Sequence, residues 1–138
     1  MLRTTLVLAL LFTAGLAAGC GDDDTPTAPT DPPVEITEVP SPSGTLTING
    51  AATHTFIVQR AGQASAQIAS LSPDSAAVIS LALGTWNGQF CQIILANDAA
   101  TTNSTVVGTA SAGNFCVRVS DVGRLTAPTE YVLTIKHF

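Results

Sequence analysis

Short stretches of alternating apolar and polar residues constrain the fold of this chain more than any other feature. Apolar residues recur at every second position in Thr53–Gln59 and again in Glu130–Phe138. A period of two places successive side chains on opposite faces of a β-strand. Turn sequences such as Asn49-Gly50 and Ser72-Pro73-Asp74 separate these stretches. The segment from Gly44 to Phe138 therefore predicts seven or eight short strands.

Strands at such regular spacing are typical of an all-β antiparallel sandwich or barrel. Ala76–Leu83 is almost entirely apolar, which predicts a strand buried on both faces. Ala61–Leu71 is rich enough in alanine to allow a helix, but its serines support a helix little, and we favour a strand. The glycines of Gly84–Gly88 predict a loop.

The N-terminus has the layout of an export signal. Arg3 precedes the apolar run Leu6–Phe12, and small residues then lead to Leu16-Ala17-Ala18-Gly19-Cys20. This sequence resembles the lipobox of bacterial lipoproteins, although Ala17 stands where the family usually has leucine. The resemblance implies that residues 1–19 are a signal peptide and that Cys20 is lipidated, which would hold the protein at a membrane. A plain secretory signal cut without lipidation is the alternative.

Residues 20–43 differ in composition from the rest of the chain. They contain six of the eight prolines, six acidic residues and no basic residue. A segment so poor in apolar residues cannot bury enough surface to offset its ordering entropy, so we expect a solvated tether.

The domain from Gly44 to Phe138 is electrically neutral, so the formal net charge of −5 comes from the six acidic residues of the tether, offset by Arg3. Four scattered basic residues do not make the positive surface that nucleic acid binding requires. We therefore expect no nucleic acid partner.

With Cys20 assigned to the lipid, Cys91 and Cys116 remain as a pair. An even pair in an exported protein predicts a disulfide. A metal site is disfavoured because no further ligand stands at metal-site spacing. The sequence predicts no metal and no cofactor.

Catalytic residues are hard to find in this chain. Thr109–Gly113 is the nearest match to a nucleophile elbow, but it lacks the first glycine and the strand-turn-helix setting. His54 and His137 are the only candidate imidazole bases, and we interpret each as an exposed strand histidine. We expect no catalytic residues. Asp98 and Asp121 are interpreted as turn caps rather than metal ligands.

Trp86 is the strongest candidate for ligand binding. It is the single tryptophan, and Asn87 and Gln89 stand beside it. An aromatic ring with neighbouring amides can stack on a sugar and hydrogen-bond to it. The alternative, which we favour, is that Trp86 fills one end of the sandwich near the Cys91–Cys116 bridge.

Two further segments resemble the bacterial pre-peptidase C-terminal domain. Ala112–Val119 contains a glycine before an aromatic residue and a valine-rich strand, and Tyr131–Ile135 matches the terminal Tyr-x-Leu-x-Ile strand of that family. Phe56–Val58 followed by Ala61-Gly62 is also similar. The resemblance implies a jelly-roll-like sandwich of the kind appended to secreted hydrolases. Gln92–Leu95 lacks the acidic residue that many members carry, so a calcium role is not implied.

These observations predict a lipid-anchored exported protein of the bacterial cell envelope, in the periplasm or at the cell surface. Its β-sandwich would bind or display rather than catalyse, with an envelope polysaccharide or a partner protein as ligand. A hydrolase with a hidden site at His54 and a purely structural envelope protein are the alternatives.

Overall fold

The computed structural model describes residues 32–138, which form one compact unit, Pro32–Phe138. The predicted signal peptide, the predicted lipidation site Cys20 and the predicted tether up to residue 31 lie outside the described residues. The strands are β1 (Ile36–Thr37), β2 (Ser43–Leu46), β3 (Ala51–Val58), β4 (Gly62–Ser72), β5 (Ile79–Trp86), β6 (Cys91–Ala100), β7 (Thr105–Ala110), β8 (Gly113–Ser120) and β9 (Thr129–His137). Residues 32–138 contain no helix of the length and hydropathy that a membrane span requires.

The strands form two antiparallel sheets. One has the order β1-β9-β4-β7, with β2 pairing to β9 on the same side as β1. The other has the order β3-β8-β5-β6. The chain crosses repeatedly from one sheet to the other, as in a jelly roll. The predicted antiparallel β-sandwich is confirmed.

The core lies between the two sheets. Alternate residues of each strand point into it, as the period-two pattern predicts. In β9, for example, Tyr131, Leu133 and Ile135 are buried, while the residues between them are more exposed. The buried residues of the two sheets form one hydrophobic core cluster within Pro32–Phe138, as a domain requires.

The last residues of the predicted tether are part of the sheet. Ile36 pairs with His137, and the backbone N–H of Glu38 donates to the carbonyl of Ile135 at 2.9 Å. Glu35 and Glu38 also contact side chains of β9, at 3.2 Å from Lys136 Nζ and 2.8 Å from His137 Nε2. Composition predicted that the domain begins at Gly44, but sheet pairing begins earlier, at Ile36. Glu35 and Glu38 support this pairing because their side chains contact Lys136 and His137 of the last strand.

Two local expectations have different outcomes. All of the predicted segment Ala61–Leu71 except Ala61 belongs to strand β4, so the favoured strand is confirmed. Gly84–Trp86, expected in a loop, instead completes strand β5, and the connection to β6 is limited to residues 87–90. The loop prediction was wrong because Gly84 does not form a turn; it allows the backbones of β5 and β6 to approach closely.

Candidate functional site

Trp86 ends strand β5 and pairs with Cys91, the first residue of β6. Its side chain is half-buried, so it is neither a fully buried plug nor a free platform. Asn87 and Gln89 are both exposed in the short connection that follows. The three predicted residues are thus close together in the chain, at one tip of the sandwich.

The carboxamide of Asn87 is occupied by the turn itself. Its Oδ1 accepts hydrogen bonds from the backbone N–H groups of Gln89 and Phe90, each at 2.9 Å. Gly88 has φ of +97°, a conformation that a side chain would disfavour. Asn87 therefore shapes the hairpin, and its side-chain oxygen is not available to a sugar hydroxyl.

A disulfide joins Cys91 to Cys116, as predicted, with a Cα–Cα distance of 5.8 Å. Cys116 pairs with Gly84 of β5, so β5 lies between the two bridged strands. Residues two strands apart in a flat sheet are roughly 9.5 Å apart. The sheet is therefore bent sharply here, and β6 folds over the outer face of β5.

Gly84 makes this bend sterically feasible. A Cβ atom at this position would collide with the backbone carbonyl of Gln92 and would lie 3.0 Å from Ile93 Cα. Register also shifts by one residue between the pairs of Leu83 and Gly84, which leaves Ile94 as a bulge in β6.

An apolar groove of about 280 Å³ opens beside this bend, between the edges of the two sheets. Leu83 and Phe115 are buried at its base, and Ile94, Leu95 and Val107 form more exposed walls. Gly108 keeps the groove open, because a Cβ there would lie 2.9 Å from Leu95 Cδ1 and 3.4 Å from Leu83 Cδ2. Thr109 is the one lining residue with a polar side chain.

Strand β6 forms an unusually apolar edge along this groove. The five residues from Gln92 to Ala96 are all exposed, and three of them are large aliphatic residues. Within residues 32–138, β6 pairs only with β5, so its other edge carries no strand. Neither the segment Cys91–Asn97 nor strand β7 contains a charged residue. Large exposed apolar surfaces of this kind mark interaction sites.

Neither histidine is an exposed strand residue, contrary to expectation. His54 points between the sheets, and its Nε2 lies 2.8 Å from the Tyr131 hydroxyl. Burial lowers the pKa of His54 and raises the pKa of Tyr131. His137 is buried to 2% exposure against Phe56 and Glu38, because β1 and the residues after it cover the end of β9.

The two aspartates interpreted as turn caps differ in role. Asp121 accepts hydrogen bonds from the backbone N–H groups of Asn49, Arg124 and Leu125, which holds two loops together. Asp98 instead accepts a 2.7 Å hydrogen bond from the Ser80 hydroxyl on the neighbouring strand. Residues 32–138 contain no cluster of three His, Cys, Asp or Glu side chains that could hold a metal ion.

The groove was not predicted, although the sequence contains a signal for it. Gln92-Ile93-Ile94-Leu95 contains three consecutive aliphatic residues, and a strand must direct them to both of its faces. On an edge strand of a two-layer sandwich, at least one of those faces meets solvent.

Comparisons with known proteins support the fold and do not identify a family. No protein-family model matches the chain. No curated protein matches it either. Among solved structures, the chain is similar to the Yersinia pseudotuberculosis-derived mitogen (YPM), with a TM-score of 0.51 and 17% sequence identity. The match covers 77% of this chain and 87% of that chain. At this identity the likeness shows a shared β-sandwich architecture.

Proposed function

We propose that this protein is an exported, membrane-tethered β-sandwich that binds a partner protein and has no catalytic role. The lipobox-like sequence at Cys20 would supply the tether. The Cys91–Cys116 disulfide supports export, because disulfides persist in oxidising compartments. The uncharged, exposed edge of β6 beside the apolar groove is the observation that carries the binding role.

The chemistry of the groove favours a protein over a polysaccharide. A sugar ring needs several hydrogen-bonding groups around an aromatic platform, whereas Thr109 is the single polar side chain lining this groove. Leucine, isoleucine, valine and phenylalanine side chains complement apolar side chains of another protein. A polysaccharide site at Trp86 would have to work without the Asn87 side-chain oxygen, which accepts hydrogen bonds within the turn.

The contacts of His54 favour binding over hydrolysis. A hydrolase centred on this histidine needs a nucleophile within reach of the imidazole. The polar partner of the ring is the Tyr131 phenol, whose pKa is raised by burial, which makes its oxygen a poor nucleophile at neutral pH. The hydrogen bond between His54 and Tyr131 links the two sheets, which gives both side chains a structural role.

Metabolic labelling with a fatty acid tests the tether. Wild-type chain should incorporate label and fractionate with membranes, and Cys20→Ala should abolish the label. The Cys91→Ala/Cys116→Ala pair serves as the control, since neither position is a lipidation site in the proposal. A wild-type chain that is soluble and unlabelled would refute the anchoring.

Photo-crosslinking in cells that export the chain tests the binding site. A benzophenone amino acid replaces Ile94 on β6 or, as a matched control, Ile57 on β3. Both isoleucines are 62% exposed, and they lie on different edges of the same sheet. We expect protein adducts from position 94 and few from position 57. Equal yields at the two positions, or none at 94, would contradict the proposed site.

A further inference from the structure

We propose that the partner covering the β6 edge is a second copy of this chain, related by a two-fold axis close to Ile94. This inference rests on the proposed binding role of the groove and names its occupant. In such a dimer each copy places the exposed part of β6 over the apolar groove of the other.

The absence of charge along the edge permits self-association. Residues close to a two-fold axis meet their own counterparts in the other copy, so charged residues beside Ile94 would face like charges. Cys91–Asn97 and Thr105–Ala110 contain no charged residue, and Asp98, the nearest acid in β6, accepts a hydrogen bond from Ser80. Residues 44–138 carry equal numbers of basic and acidic side chains, so this part of the chain adds little long-range repulsion; the excess of acidic residues lies before Gly44.

The exposed apolar area has the right order of magnitude for a small stable interface. The large apolar side chains at this end, Phe90, Ile93, Ile94, Leu95 and Val107, are between 39% and 62% exposed. With about 200 Å² for a whole residue, they offer about 500 Å² per copy. A standard interface buries about 800 Å² on each partner. Gln92, Ala96, Thr109 and the strand backbone can supply the remainder.

The bulge at Ile94 determines the kind of assembly. A regular free edge could pair with another copy through backbone hydrogen bonds, whereas the bulge interrupts the row of backbone donors and acceptors and leaves side-chain packing as the main contact. When the side chains of two copies pack together, each copy contributes its exposed β6 edge and its groove, and both become buried. The arrangement is therefore a closed dimer rather than a fibre.

Tethering increases the tendency to pair. Copies held at one membrane through the proposed lipid at Cys20 share a thin layer, which raises their effective concentration. An interface at the small end of the size range can then be occupied at the membrane even when its affinity in solution is modest.

Sedimentation velocity tests the dimer with the chain Gly21–Phe138, which retains the whole folded unit. We expect a monomer–dimer equilibrium within about 1 µM to 1 mM, the range of weak specific interfaces. Ile94→Lys should weaken dimerisation by about 100-fold or more, because it removes a buried aliphatic side chain from both copies and introduces two like charges. Ile57→Lys, at equal exposure, should leave the equilibrium unchanged.

Val107→Lys on the opposite wall of the groove gives an independent second variant, and thermal melting shows whether each variant is folded. A folded Val107→Lys protein should also be monomeric. A wild-type chain that stays monomeric throughout, or a dimer disrupted by Ile57→Lys but not by Ile94→Lys, overturns the inference.

The crosslinking experiment separates this inference from the proposed function. Adducts at position 94 with twice the mass of the chain support the dimer. Adducts of other masses, together with a monomeric wild-type chain, would refute the dimer but preserve partner binding. The absence of any adduct at position 94 would refute both.

Discussion

Removing the disulfide should test how much the bend at Gly84 depends on a covalent link. Cys116 is fully buried and Cys91 nearly so, and they are 25 positions apart in the chain. Closing a loop of this length lowers the entropy of the unfolded chain, an effect of about 3.5 kcal/mol on the chain-entropy model. The double variant Cys91→Ala/Cys116→Ala should therefore lose about 3–4 kcal/mol of unfolding free energy, adding little cavity cost.

Guanidinium unfolding followed by far-ultraviolet circular dichroism measures this loss. For a domain of this size, the same change should lower the melting temperature by about 15–25 °C. Wild-type protein treated with a reductant should approach the double variant, whereas the reductant should not alter the variant itself. A loss below about 1 kcal/mol, with unchanged unfolding slope, would show that the bend is held by packing and that the entropic argument fails here.

Three further predictions concern single side chains. Asp121→Asn should lower stability at pH 7, because hydrogen bonds from the backbone N–H of Asn49, and then from those of Arg124 and Leu125, lower the pKa of the native carboxylate. In urea unfolding, the stability difference from wild type should shrink below about pH 4, and a difference that does not change with pH would refute this prediction. Burial lowers the pKa of His54, so the free energy of unfolding of wild type should fall as the pH drops from about 7 through that pKa. His54→Gln should show a smaller change of unfolding free energy with pH in the same urea assay, and an equal change would contradict this prediction. Trp86→Ala should cost about 1–2 kcal/mol, since its ring is half-buried; a loss of about 4 kcal/mol would indicate a core role.

The strands and the disulfide could be predicted because their signals are local or countable. Alternation along β3 and β9 follows from one face of each strand meeting the core. The pairing of Cys91 with Cys116 follows from counting cysteines once Cys20 is set aside as the predicted lipidation site. The inward orientation of His54 could also have been predicted, since His54 lies on the same face of β3 as the buried Phe56 and Val58. Counting residues in steps of two would have placed it inward.

The contacts of the N-terminal segment could not be predicted in this way. Glu35 and Glu38 lie in a stretch whose composition indicates solvation, and their partners Lys136 and His137 are at the far end of the chain. Ion pairs and hydrogen bonds across such separations leave no periodic trace in a sequence. Gly84 was misread for a related reason, because the residue that makes it necessary, Gln92, belongs to another strand.

The pairing of β1 with the end of β9 determines how the domain would respond to mechanical force. Tension from the N-terminal side would reach the first described strand at Ile36, which pairs with His137, so the first and last strands of the described residues lie side by side. Pulling there loads the few β1–β9 hydrogen bonds one after another, as in opening a zipper, instead of shearing them together. The Glu35–Lys136 contact would break first, and the Glu38–His137 contact would break after the β1–β9 pairs. The sandwich beyond them, closed by the Cys91–Cys116 bridge, would keep its shape while the leading segment lengthens.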